Sequence, residues 1–463
     1  MNNKEYEIDM IHGPLMGKIL LFAIPLMLSS ILQLLFNAAD VVVVGQFSGP
    51  NSIAAVGSTS SVINLIVSLF MGLAVGVNVL AARFYAAGQD KDVSETVHTS
   101  AMICIIGGLL ILAVGVLLSK PILTAMGSPE EVIDLSTLYM RIYFLGAPSL
   151  FIYNLGSAIL RAIGDTRRPL YYLVISGIIN VILNLIFVIC FHMDVAGVAL
   201  ATIISETVSA VLITRCLMKS TESYRFVPSK LKINKDKLVL ILKLGVPAGL
   251  QGMLFSFSNV LIQSSINSFG AIVMAGNAAA ASLEGFVYVA MNSVYQACIS
   301  FTSQNFGAGQ YKRIGKVLRS CLLIVSIVGL VMGNLFFLFG RELLSIYTSD
   351  PEAIRFGLER MSMICTLYLL CGIMDTLCGS LRGLGYSVVP MIVSLLGACG
   401  FRILWICTVF TYFHSLRVLY LSYPVSWFIT ALAHLICYFI VREKIKARLG
   451  CPADTSDADR SIL

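Results

Sequence analysis

Asp40 follows Gln33, Phe36 and Asn37 at spacings of seven, four and three residues, which places a polar stripe ending in a carboxylate on one face of a helix through a long apolar stretch. An ionisable group in such surroundings is costly and marks function by default. Two further stripes accompany it: Ser176, Asn180 and Asn184 recur at intervals of four, and Thr202, Glu206 and Ser209 fall at intervals of four and three in the next apolar stretch. At ~1.5 Å of helix rise per residue, Asn184 and Thr202 lie at similar depths, where Asp40 can face them. A carboxyl group ringed by amide and hydroxyl oxygens can hold a proton or a small hard cation, and the proton is favoured because an ionised carboxylate is expensive away from water. Simple hydrogen bonding between helices also accounts for Asn180, Asn184 and Thr202, and accounts less well for Asp40.

A second constellation lies in the other half of the chain. Glu284, Tyr288, Met291, Asn292 and Tyr295 occupy positions i, i+4, i+7, i+8 and i+11, one helix face. An acidic group flanked by aromatic rings and a flexible thioether suits a cleft for bulky organic cations, and the stripe reads equally well as core packing, with Glu284 favouring function. Asp375 is a second acidic candidate for that cleft, and Asn154 is its counterpart 221 residues earlier.

The elements that must position these residues are membrane helices. Of the 463 residues 57% are hydrophobic and 12% charged, and the mean hydropathy is +0.87, a balance foreign to ordinary soluble domains. Twelve stretches of roughly 20 residues or more can cross a bilayer. They are 15–44, 53–81, 96–118, 132–158, 169–191, 195–217, 238–266, 277–303, 314–339, 354–380, 387–411 and 416–441.

The chain also repeats itself. Phe84 to Gln89 returns as Asn305 to Gln310, and Leu160-Arg161-Ala162-Ile163-Gly164 returns as Leu381-Arg382-Gly383-Leu384-Gly385, each 221 residues on. Six spans per half make the halves parallel, a pattern of transporters that enclose a substrate path near the midplane. Residues 1–217 are expected to form an amino-terminal six-helix lobe, 218–237 a basic linker, 238–441 a carboxy-terminal lobe and 442–463 a tail. Shifting Asn180, Asn184 and Thr202 by 221 lands on Phe401, Trp405 and Tyr423, so the scaffold is repeated and the chemistry is not.

Lys and Arg cluster in the loops that face the cytoplasm if both termini lie inside, and the densest run, Arg215 to Lys243, joins the halves. That run reads as an orientation signal touching anionic lipid and gives no reason to expect nucleic acid. No cleavable leader is expected, and the twelve cysteines sit singly, as small buried thiols rather than disulfides or metal ligands. Pro25 and Pro247 take matching places and suit either a kink that moves or a static one. Gly72, Gly76, Gly107 and Gly108 suggest close helix packing. No H-E-x-x-H, G-x-S-x-G or P-loop is present, so an enzyme is not expected.

Pro25, the run Asn37-Ala38-Ala39-Asp40-Val41-Val42-Val43-Val44-Gly45, the stretch LRAIGDTRRP from Leu160 to Pro169 and QNFGAGQ from Gln304 to Gln310 together resemble the multidrug and toxic compound extrusion (MATE) transporters. The twelve-span layout carries the resemblance over nearly the whole chain, and within the family it leans toward the DNA-damage-inducible branch. The resemblance implies an all-α integral membrane protein with twelve transmembrane helices in two pseudo-symmetric six-helix lobes, V-shaped around a central cavity. It also implies a monomer in a bacterial cell membrane, exporting small organic compounds by inward flow of protons or sodium, with no cofactor. Asp40 is similar to the family's essential first-helix aspartate, Asn180 and Thr202 match the cation site of its amino-terminal lobe, and Asn154 matches a polar position of that lobe, so these residues with Asn184 are the expected cation- or proton-coupling group. Asn184 stands where members with a well-defined cation site carry an aspartate, which favours protons over sodium. Gln33, Asn37, Glu206, Glu284, Tyr288, Met291, Asn292 and Asp375 are the expected cavity residues. The competing reading is a flippase of lipid-linked sugars, for which the buried charges are mostly of the wrong sign, Arg402 being the main exception.

Overall fold

A computed structural model of the chain describes residues 6–126 and 129–449. Among the described residues there are helices and no strands, and ten helices are each long and apolar enough to cross a membrane. They are α1 (Leu15–Phe47), α2 (Pro50–Ala86), α3 (Asp90–Ala125), the spans Arg167–Cys190 and Asp194–Lys219, Lys235–Asn267, Ala271–Gly307, Tyr311–Leu338, Val388–Phe413 and the last helix from Leu416.

Two further spans are broken. α4 (Glu130–Leu145) and α5 (Ala147–Ala162) meet at 47°, where the spacing alone suggests one continuous helix over 132–158. Gly146 ends one helix and begins the other, and Pro148 in the first turn of α5 has no amide hydrogen to extend the α4 ladder. The same break recurs between Pro351–Ile364 and Leu369–Gly383, at 48°. With each bent pair taken as one span, twelve spans in two six-span halves make the chain an all-helical multi-pass membrane protein.

Completing the order, α6 (Arg167–Leu185) ends in a π-helical turn at Ile186–Cys190 and is followed by α7 (Asp194–Lys219). Then come α8 (Lys235–Asn267), α9 (Ala271–Gly307), α10 (Tyr311–Leu338), the short α11 (Gly340–Ser345), α12 (Pro351–Ile364) and α13 (Leu369–Gly383). The eleventh span alternates α14 (Val388–Ser394), α15 (Phe401–Trp405) and α16 (Thr411–Phe413) with π-helical turns, and α17 (Leu416–Leu449) closes the fold. α17 thus continues beyond Arg442, where the tail was expected to begin, and residues 450–463 of that tail lie outside the described residues.

Packing divides the chain into two compact units, Met1–Asp9 with Leu28–Gly245, and Met10–Met27 with Val246–Leu463. The exchange points lie inside α1 and α8, close to Pro25 and Pro247, and both helices remain continuous through their proline. In the first unit α2, α3, α5 and α7 pack closely, and a Cβ on Gly108 would stand 2.7 Å from the Cα of Pro148. The linker is docked on α3: His98 pairs with the backbone of Val227, Thr99 accepts from the Asn234 amide, and Glu95 accepts from Asn234 Nδ2 at 2.8 Å. Asn234 then caps α8 by accepting from the amides of Asp236 and Lys237. In the second unit α9 is central, flanked by α10, α12 and α13.

Backbone geometry explains which residues the duplication keeps. Gly88 and Gly309 sit at φ +68° and +70°, and Gly164 and Gly385 at +97° and +95°, so the repeated motifs are turns that a side chain would strain. A third pair, Gly49 and Gly270, shares φ near +96° at the same offset, and it stands out less in the sequence because its neighbours differ.

Candidate functional site

The first unit gathers four of the residues singled out above. Asp40 is 9% exposed near the end of α1, where Val43, Val44, Ala55, Tyr139, Val195 and Val198 form one apolar cluster across α1, α2, α4 and α7. Its Oδ1 accepts a hydrogen bond from Asn184 Nδ2. The same amide reaches Asn180 Oδ1 at 3.2 Å, and Asn180 Nδ2 reaches Thr202 Oγ1 at 3.4 Å. The i, i+4 spacing on α6 is what stacks the two asparagines, and Gly177 one turn earlier makes room for the Phe36 ring of α1.

No cation among the described residues balances Asp40. Among the described residues neither Asp40 nor Glu206 has an ion-pair partner, and the two carboxyl groups lie within electrostatic reach of each other. Glu206, one turn beyond Thr202 on α7, is half-buried beside Gly146 at the α4–α5 break. Tyr139 and Tyr143 of α4 feel both carboxyl groups. These tyrosines are site residues that sequence reasoning missed, although their spacing of four was readable.

The other first-unit candidates stand apart. Asn154 spends its amide on the carbonyl of Leu150 in its own helix, 2.8 Å away, rather than on the Asp40 group. Gln33 and Asn37 are exposed on α1, where Asp40 is buried, so the stripe runs from an open to a closed environment.

The second unit corrects the acidic picture. Glu284 is 5% exposed and carries a two-pronged ion pair with Arg360 of α12, at 2.8 and 2.6 Å. Arg360 also donates to Asn277 Oδ1 at 2.8 Å, whose amide continues to Gln263 at 2.9 Å. Glu284 is therefore neutralised and is not a free charge for an organic cation. Met291 is buried against Gly372 and serves packing. Tyr288 is 39% exposed, Asn292 adjoins its hydroxyl, and half-buried Asp375 is the nearest carboxylate to act on it.

Three buried arginines accompany those acids. Arg382 donates to the Tyr295 hydroxyl and, at 2.9 Å, to Gln251 Oε1. Arg402 donates to Ser426 Oγ at 2.9 Å and lies over the rings of Tyr423 and Trp427, 4.3 and 5.7 Å from their centroids, without a carboxylate partner among the described residues. The rule that singles out Asp40, an ionisable residue inside an apolar span, applies to Arg360 as well and would have found it. Among the described residues no cluster of three or more His, Cys, Asp or Glu could hold a metal.

The curated relatives run the length of the chain. A probable multidrug resistance protein of Bacillus subtilis, YoeA, is 27% identical over 93% of this chain and 95% of its own. A second from that organism, YpnP, is 29% identical over 84% and 87%, and the multidrug export protein MepA of Staphylococcus aureus is 23% identical over 94% and 95%. Among solved structures, a MATE in the straight conformation superposes with a TM-score of 0.89 at 21% identity, covering 95% of this chain and 99% of that one. An outward-facing multidrug resistance MATE family transporter gives 0.88 at the same identity and coverage. The MatE family model matches twice, at residues 25–186 and 247–407, once in each half of the duplication. A repeated scaffold of six spans, a carboxylate buried on the first helix and two family matches covering most of the sequence agree: the chain belongs to the MatE family.

Proposed function

We propose that the protein is a secondary active antiporter of the cell membrane, with both termini cytoplasmic, that exports amphipathic, mostly cationic organic compounds in exchange for protons by alternating access. The observation that carries this reading is Asp40: a carboxylate in a membrane helix, held by the Asn184 amide and balanced by no cation among the described residues. A group of that kind can take up and release a proton as its surroundings change. The multidrug names of the relatives support the substrate class.

The hydrogen bonds favour a proton over sodium. Asn184 presents its NH2 to Asp40, a donor that suits the ionised carboxylate and, in that orientation, offers a metal ion no ligand. Its own Oδ1 is buried without a partner among the described residues. When Asp40 takes a proton, rotation of the Asn184 amide supplies that oxygen as the acceptor for the new hydroxyl, so both protonation states find a partner. Proteoliposomes with imposed gradients test the scheme. A proton gradient should drive uptake of a cationic dye in the wild type, and Asp40→Asn should reduce uptake to the level of empty vesicles. Drive by sodium alone, or unchanged transport by the variant, would replace the proton assignment.

Arg402 favours one second reading, a flippase of lipid-linked oligosaccharide or a related precursor. It stacks on aromatic rings, unpaired by any carboxylate among the described residues, as a site for an anionic head group would require. Loss of surface polymer on deletion with unchanged drug sensitivity would select it.

A further inference from the structure

A cavity of about 730 Å³ opens at the junction of the α9–α10 turn with the end of α17. Lys312, Arg313, Arg442 and Lys446 line it, together with apolar Leu384 and Ile445. Among the described residues Lys312 and Arg442 form no ion pair, and Glu443, which lies near Arg442, is engaged by Lys446 at 2.6 Å. Arg313 spends one nitrogen on the carbonyl of Gly13 at 2.8 Å and leaves its Nε buried without a partner among the described residues.

The internal repeat shows that this charge is unusual for the position. α10 begins at Tyr311-Lys312-Arg313, and its counterpart α3 begins at Asp90-Lys91-Asp92. The first turn of α3 contains two acids, which suit the positive end of a helix, and Asp92 is further paired with Lys237. The first turn of α10 has no acid and two cations. Cations there oppose the helix dipole, and two more arrive from α17, so the site lacks a counterion that its twin contains. Orientation of the chain in the membrane requires only that basic residues lie in the loop and does not require them to converge on a cavity. One turn before Arg442 and on the same side of α17, Phe439 is 50% exposed, an apolar flank below the basic rim on a membrane-crossing helix. A basic recess continuous with an apolar flank matches an anion that carries its own hydrocarbon.

We infer that this recess binds the phosphate of an anionic phospholipid, with Lys312 and Arg442 as its principal contacts and an acyl chain along Phe439. The detergent-solubilised full chain, supplied with phosphatidylglycerol or phosphatidylcholine, tests the assignment by native mass spectrometry and thermal midpoint. The wild type should retain phosphatidylglycerol at least about fivefold more than phosphatidylcholine, the scale of one charge-assisted contact, and should melt higher with it. Lys312→Gln/Arg442→Gln should remove that preference while its melting in phosphatidylcholine stays unchanged, and Lys232→Gln, in the exposed linker, should leave the preference intact. Equal retention by wild type and double variant would overturn the site. So would full stabilisation by inorganic phosphate, which would make the ligand a free anion. A lipid preference that appears only in Asp454→Asn/Asp457→Asn/Asp459→Asn would overturn it too, by assigning the recess to the chain's own acidic carboxy terminus.

Discussion

Thr202 and Glu206 in the first unit correspond, 221 residues on, to Tyr423 and Trp427 in the second, and Tyr139 corresponds to Arg360. The same helical positions therefore hold hydroxyls and an uncompensated acid in one unit, and cation-stacked rings in the other. In the first, Asp40 and Glu206 have no cation among the described residues. In the second, Glu284 is matched by Arg360, and Arg402 lies on Tyr423 and Trp427. A duplicated scaffold permits this divergence because the turns and helix crossings that define it do not depend on what fills the space between helices. One unit retains two acids without a cation among the described residues, which a proton can neutralise; the other pairs Glu284 with Arg360 and disperses Arg402 over aromatic faces, and keeps Asp375 as its one acid of these without an ion pair among the described residues.

The contrast breaks most severely at the Glu284–Arg360 pair. Arg360→Leu leaves a buried carboxylate alone and should destabilise the protein by about 3–5 kcal/mol, whereas Glu284→Leu/Arg360→Leu should recover most of that loss. Thermal unfolding of the three proteins in one detergent decides it; a double variant as unstable as the single would show that the pair supports more than its own charge. A smaller effect is expected at Arg402. Arg402→Gln keeps a donor for Ser426 but removes the cation over the rings, and should shift efflux of anionic or zwitterionic compounds relative to cationic ones by about tenfold at most, the scale of one cation–π or charge-assisted contact. Matched dyes of opposite charge read the shift directly. Asn154→Ala should have the least effect, about 0.5 kcal/mol or less in stability and none on coupling, since its amide serves only its own helix.

Much of the frame was legible because hydropathy and span length are properties of single segments. Twelve spans and their duplication follow from them, and the i, i+4 rule brought Asn180, Asn184, Thr202 and Asp40 to a shared depth. What the sequence left open depended on three-dimensional pairing. Glu284 looks free in a one-dimensional reading because Arg360, 76 residues away, approaches it only after α9 and α12 pack. The α4–α5 and α12–α13 breaks were hidden because a bend leaves the hydropathy profile continuous. Asn154 was placed by resemblance, and its side chain turned instead to the nearest carbonyl.

The exchange of Met10–Met27 and of the residues ending at Gly245 bears on how such a chain could have arisen and how it can be cut. A fragment stopping in the linker would carry eighteen residues whose packing partners it lacks, and its complement would miss the same eighteen. Phe22, fully buried edge-on against Phe301, would be left in lipid or water. Neither half of the duplication, cut in the linker, therefore carries the full set of packing partners of its unit. An unfused half-length ancestor would have had to lend its opening turns to a twin, as domain-swapped dimers do, and fusion made that loan permanent.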